Sequence, residues 1–205
     1  MLIKGFTVGQ LQTNCYVVID ESTLDCAVID PGAESGRILN YLEDNKLTAR
    51  AIFLTHGHYD HTGGVMGLFE GTGATVYLHA LDAYQDGKGN QYQYDGGKEL
   101  CFYKEGDCIS VGKLEFHVME TPGHSRGSVT LRCEDALFTG DTLFRGSCGR
   151  TDFPGSSWAA IQGSLRRLAS LEGDYEVYPG HMDATSLNRE RRFNPYVLDA
   201  MDDRD

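Results

Sequence analysis

The chain has 205 residues and 22.6 kDa, of which 40% are hydrophobic, enough for a single domain (1–205) with a sizeable core and no need of disulfide support. Its 30 acidic and 18 basic residues give a net charge of −12 with histidine neutral, which disfavours nucleic acid and anionic membranes as partners. Met1–Asp20 holds no apolar stretch long enough for a signal peptide, and no later run reaches the ~20 apolar residues of a membrane span, so the expected compartment is the cytoplasm.

Short runs rich in Val, Ile, Leu, Phe and Tyr alternate with segments of helical period, the pattern of an α/β protein. In chain order the predicted strands cover 2–8, 15–19, 26–29, 51–54, 75–78, 108–111, 114–119, 129–133, 136–138 and 176–178. The predicted helices cover 36–45, 61–70 and 158–171. In the last helix Trp158, Ile161, Leu165, Leu168 and Leu171 recur at spacings of three and four, an apolar stripe expected to face the core, with Ser156 or Ser157 as its cap. Gln85–Gly97 holds four glycines and no aliphatic residue, and reads as a long surface loop. Six cysteines, at 15, 26, 101, 108, 133 and 148, include no C-x-x-C pair and read as reduced thiols.

Five of the seven histidines follow predicted strands: His56, His58 and His61 after A-I-F-L-T, His124 after F-H-V-M-E-T-P-G, and His181 after Y-E-V-Y-P-G. Asp141 follows A-L-F-T-G in the same way. Strand ends on one side of a sheet aim loop side chains at a common point, so four such ends carrying His or Asp imply one site. T-H-G-H-Y-D-H at 55–61 is the sharpest element. With Asp60 it completes seven candidate ligands, His56, His58, Asp60, His61, His124, Asp141 and His181, more than one tetrahedral ion can use. Two divalent ions sharing Asp141 would use them all, with Zn favoured and Fe or Mn as alternatives. His79 and His117 lack a second ligand-type residue at ligand spacing and read as structural. Asp30, in I-D-P-G, reads as a turn former, and Cys148 as a neutral loop residue.

These motifs resemble the metallo-β-lactamase superfamily, through T-H-G-H-Y-D-H, T-P-G-H-S-R-G-S at 121–128, F-T-G-D-T-L-F at 138–144 and Y-P-G-H at 178–181. Within it, G-S-C-G-R-T-D-F-P-G-S at 146–156 and T-S-L-N-R-E-R-R-F-N-P-Y at 185–196 are similar to the short bacterial glyoxalase II-like hydrolases. The resemblance implies a four-layer αββα sandwich, one metal on His56, His58, His124 and Asp141, and a second on Asp60, His61, Asp141 and His181. It also implies that Asp30 hydrogen-bonds a metal-site group. Only 24 residues follow His181, so the C-terminal helical domain with which full-length glyoxalase II holds glutathione is not expected, and M-D-A-T stands where the family carries H-E-Y-T.

Such a metal pair makes a bridging hydroxide available near neutral pH to attack a carbonyl carbon, with Asp60 orienting it. A thioester such as S-lactoylglutathione suits the site, because a thiolate of pKa ~8.5 leaves without a strong acid. Arg150 occupies the position where the resemblance implies a basic residue for the carrier's carboxylate; the alternative is a surface pair with Asp152. The competing functions are a mononuclear iron persulfide dioxygenase, which would leave Asp60, His61 and His181 idle, and a non-catalytic metal-binding module.

Overall fold

A computed structural model describes residues 1–83, 91–96 and 100–202. Part of the Gln85–Gly97 loop and the last three residues of the charged C-terminal tail lie outside the described residues. The first sheet is formed by β1 (Leu2–Val8), β2 (Thr13–Ile19), β3 (Asp25–Ile29), β4 (Thr48–Phe53), β5 (Thr75–His79) and β6 (Leu100–Tyr103), in that spatial order. It begins as an antiparallel meander and turns parallel from β3 onward. The second sheet has the order β14-β13-β10-β9-β8-β7, with β7 at Cys108–Val111, β8 at Leu114–Glu120, β9 at Val129–Cys133, β10 at Ala136–Gly140, β13 at Glu176–Pro179 and β14 at Thr185–Ser186. A separate pair, β11 (Leu143–Phe144) and β12 (Ser147–Cys148), lies near the site.

The alternation of side chains along each strand divides the apolar residues between layers. Phe53, Ile29, Val18, Phe116, Leu131 and Phe138 fill the space between the two sheets. The opposite face of the first sheet, through Val17, Val28 and Ile52, packs on Ile38 and Leu42 of α1 (Ser35–Asp44) and on Val65 and Leu68 of α3 (Val65–Thr72). Leu137 and Val177 on the far side of the second sheet meet Leu165 and Leu168 of α4 (Trp158–Ala169), Leu187 of α5 (Leu187–Phe193) and Val197 of α6 (Pro195–Asp202). Central strands buried on both faces read as continuous apolar runs, here with helices outside each sheet: the expected αββα sandwich.

Two local expectations change. The helix expected over 61–70 is two helices, α2 (Tyr59–Thr62) and α3, broken at Gly63 and Gly64. The break lets the chain approach the Pro31–Gly32 turn: the Gly64 amide donates to Pro31 O at 2.7 Å, and a Cβ on Gly63 would lie 2.5 Å from Gly32 O. Trp158 leaves the apolar stripe of α4 and is 43% exposed, edge-on to Tyr196. Ser157 caps α4, accepting from the Ala160 amide. Among the described residues no helix is long and apolar enough to cross a membrane.

Candidate metal centre

The site lies at the C-terminal ends of β4, β8, β10 and β13, where four loops deliver His56–His61, His124, Asp141 and His181. All seven expected ligands converge there. One group of donor atoms comprises His56, His58 and His124, a second Asp60, His61 and His181, and a third joins His56, His61 and Asp141; within each group all atoms lie within 4.8 Å of one another. Asp141 stands between the first two groups. Its Oδ1 is 3.4 Å from His61 Nε2, while its Oδ2 is 3.4 Å from His124 Nε2 and 3.6 Å from His181 Nε2. Asp60 Oδ2 reaches His181 Nε2 at 3.2 Å and His61 Nε2 at 3.5 Å, and accepts the Thr13 hydroxyl at 3.1 Å. Its carboxylate therefore turns into the site rather than capping α2, whose cap position is His58.

Outer contacts orient the rings. His61 Nδ1 lies 3.0 Å from Asp30 Oδ2, His56 Nδ1 lies 3.1 Å from Thr55 Oγ1, and His124 Nδ1 donates to the Arg150 carbonyl at 2.8 Å. Each contact leaves Nε2 turned toward the centre, the usual way a protein fixes the tautomer of a ligand imidazole. Asp30 also takes the Thr55 amide and hydroxyl, both at 2.7 Å, and its contact with His61 is of the kind the resemblance implies. Asn14 fastens the β1–β2 hairpin to the His181 loop, its amide donating to Gly180 O and its side chain to Pro179 O and Met182 O.

His56 Nε2, His61 Nε2 and Asp141 Oδ1 are buried with no hydrogen-bond partner. A buried polar atom left unpaired costs about 1–3 kcal/mol, so three at one point call for a common partner. His58 Nδ1 and His124 Nε2 face one another at 2.9 Å, two nitrogens converging where a cation would bridge them. The five imidazoles and two carboxylates that meet here fit divalent transition ions. Burial, reinforced by His124 and His61, pushes His58 down to about 3, and burial likewise lowers His56, so these two imidazoles are neutral and ready to ligate. Burial would lower His61 and His181 as well. Asp141 and Asp30 outweigh it for His61, and Asp60 and Asp141 for His181, so both are raised. Burial would raise the Asp141 carboxyl, but His61, His124 and His181 hold it below the usual carboxylate range.

A cleft of about 530 Å³ opens over His58, His124, His181, Asp60 and Asp141. Tyr92 and Phe153, with ring centroids 4.9 Å apart, form one wall against His58, and Phe144 stands edge-on to His181. Cys148 lines the cleft, its thiol pushed up to about 11 by burial, as a neutral residue should be. Arg150 also lines it, but its Nε and Nη2 donate to the two carboxylate oxygens of Asp152 at 2.6 Å each, with the guanidinium 4.3 Å from the Phe153 ring centroid.

His79 accepts the Leu81 amide and meets Glu120, a structural arrangement. His117 departs from expectation: strand pairing sets it opposite Cys108, and Glu115 joins them within 4.8 Å on the β7–β8 hairpin. Asp82, Asn14 and Thr13 had no sequence signal. A buried acid is recognisable only once its donors are in place.

The family model of the metallo-beta-lactamase superfamily matches residues 8–181, and the chain belongs to that superfamily. It is 31% identical to a Haemophilus influenzae protein named hydroxyacylglutathione hydrolase GloC, over 96% of this chain and 98% of that one. Three solved structures are close: BLEG-1 B3 metallo-beta-lactamase (TM-score 0.85, 30% identity, 96% of this chain and 99% of that one), ETHE1 from Myxococcus xanthus (0.80, 31%, 99% and 91%) and TTHA1623 in a di-iron-bound form (0.80, 36%, 94% and 99%). Members of this superfamily are metal-dependent hydrolases as a rule, and the seven His and Asp residues give this chain candidate metal sites.

Proposed function

We propose that this chain is a binuclear metal-dependent hydrolase of small-molecule thioesters. The observation that carries the reading is the Asp141 carboxylate between two His-rich groups, one oxygen facing His61 and the other His124 and His181. His56, His58, His124 and Asp141 would hold one divalent ion, and Asp60, His61, Asp141 and His181 the other. Zn is our first assignment; the di-iron-bound neighbour supports Fe as the second, and Mn suits the same donors. Such ions supply an acidified water and a Lewis acid for a carbonyl oxygen.

The protein's own contribution is orientation. Asp60 Oδ2, fixed by the Thr13 hydroxyl and His181, accepts a hydrogen bond from the attacking water and aims it into the cleft. The two nearby acids are ionised carboxylates and the Cys148 thiol is held neutral, so the leaving group must depart without a strong acid, as a thiolate does. The relative named hydroxyacylglutathione hydrolase supports a thioester substrate.

The test combines thiol trapping with an oxygen electrode on metal-loaded protein. One free thiol per S-lactoylglutathione or related 2-hydroxyacyl thioester, with no oxygen consumed, is the expected result. Oxygen uptake with glutathione persulfide and no thioester turnover would overturn it in favour of a dioxygenase.

A further inference from the structure

We infer that the cleft selects thioesters with an apolar, uncharged body and that Asp152 enforces this by neutralising Arg150. The inference rests on the reading of the site as a thioester hydrolase and names the substrate class within it.

The rim beside the candidate ligands is apolar. Leu11, Tyr59 and Met182 line the cleft while 51%, 55% and 58% exposed, although large apolar side chains clustered in the open usually mark a recognition surface. Asn14 holds the β1–β2 turn carrying Leu11 against the loop carrying Met182. Tyr92 and Phe153 form the facing wall. A substrate whose scissile bond reaches Asp141 must lay its remaining length between these surfaces.

A glutathione thioester carries two carboxylates, and each needs a cation or several donors when it leaves water. Among the described residues lining the cleft, Arg150 is the one Lys or Arg. Its fork is already closed on Asp152 through two 2.6 Å hydrogen bonds, and its flat face is stacked on Phe153. Asp152 lies two residues along the same segment, so it competes with any incoming carboxylate at the high effective concentration of an intramolecular partner. Displacing it would also leave a second negative charge beside the substrate's own, in a chain of net charge −12. The pair thus presents a neutral surface to the cleft.

The test measures binding without turnover. Calorimetry on Zn-loaded protein compares S-hexylglutathione with S-hexyl-N-acetylcysteamine, thioethers that share the alkyl arm, resist hydrolysis and differ in charge. The neutral ether is expected to bind about tenfold more tightly, and Asp152→Asn to narrow that ratio by about fivefold. Arg150→Gln should not weaken the glutathione ether by more than about twofold. Equal or tighter binding of the glutathione ether to the parent protein would overturn the inference, as would a ratio unchanged by Asp152→Asn. The hydrolase reading fails by a different result, absence of thioester turnover, which the binding ratio does not depend on.

Discussion

Asp82 Oδ1 accepts the backbone amide of Gly127 at 2.7 Å. The other carboxylate oxygen takes the Gly57 amide at 3.1 Å and the Ser125 hydroxyl at 2.5 Å. One buried side chain thereby ties the loop carrying His56 and His58 to the loop carrying His124, whose imidazoles form one candidate ligand group. Burial pushes the Asp82 carboxyl up, and these three donors work against that rise.

Asp82→Asn therefore tests whether the two loops are held in register from outside the metal centre. An amide turns one acceptor into a donor, so at least one of Gly57, Ser125 and Gly127 loses its partner, at a cost of about 1–3 kcal/mol. The melting temperature should fall by about 2–4 °C for each kcal/mol. Metal retained after dialysis against a weak chelator should fall as well. Parent-like retention in a destabilised variant would confine Asp82 to a folding role.

Asp141→Ala should lower metal content more than Asp60→Ala. Asp141 faces His61, His124 and His181, and so touches both groups, whereas Asp60 faces only His61 and His181. Elemental analysis of protein purified without chelator should approach two equivalents for the parent. It should give about one for Asp60→Ala and less for Asp141→Ala, if a shared ligand serves both ions. A parent stoichiometry fixed at one on adding metal would remove the binuclear reading.

Much of this was legible in the sequence because strand ends and ligand chemistry are local signals. β1 and β7 fall on the predicted residues, and the seven His and Asp residues meet where the strand-end pattern implied. What escaped depends on partners distant in the chain. α5 has the sequence L-N-R-E-R-R-F and no apolar stripe; besides Leu187 it is held by buried Glu190, which takes the Thr185 hydroxyl and the Gly146 amide. Gly63 and Gly64 read as part of one helix until Pro31 and Gly32 are placed against them. The Arg150 carbonyl, which holds His124, belongs to a backbone whose position no residue type announces.

Gly180 is required by the close approach of its backbone to the site. A Cβ there would lie 2.4 Å from Asp141 Oδ1 and 2.7 Å from His61 Cε1. Gly180→Ala should displace the shared carboxylate, reducing metal content toward that of Asp141→Ala. The accompanying loss of stability should be about 1–3 kcal/mol, the usual range for overpacking. A variant that keeps two ions and the parent's denaturation midpoint would show that the loop can recede without disturbing Asp141.

Asp20 gives a pH dependence independent of the metal centre. Its carboxylate sits in the turn between β2 and β3 and accepts the Lys113 amide at 2.7 Å, the Ser22 amide and hydroxyl at 2.8 and 2.7 Å, and the Thr23 hydroxyl at 2.9 Å. Lys113 belongs to the β7–β8 turn, so this cluster joins the β2–β3 turn of the first sheet to the turn beside the edge strand β7 of the second. The Lys113 amide, then Ser22 and Thr23, hold the carboxyl well below its ordinary range. A carboxyl depressed in the folded state stabilises fully above its unfolded pKa of about 3.9, and that contribution is lost as pH falls toward the folded value. Asp20→Asn removes the charge that draws these donors together. Urea denaturation should therefore show the variant less stable than the parent at pH 7 and pH 5, with the gap narrowing at pH 3 and below as Asp20 takes up a proton in the parent's unfolded chain while the folded carboxyl stays ionised. A gap of constant size across that range would mean that Asp20 acts through its shape and not its charge.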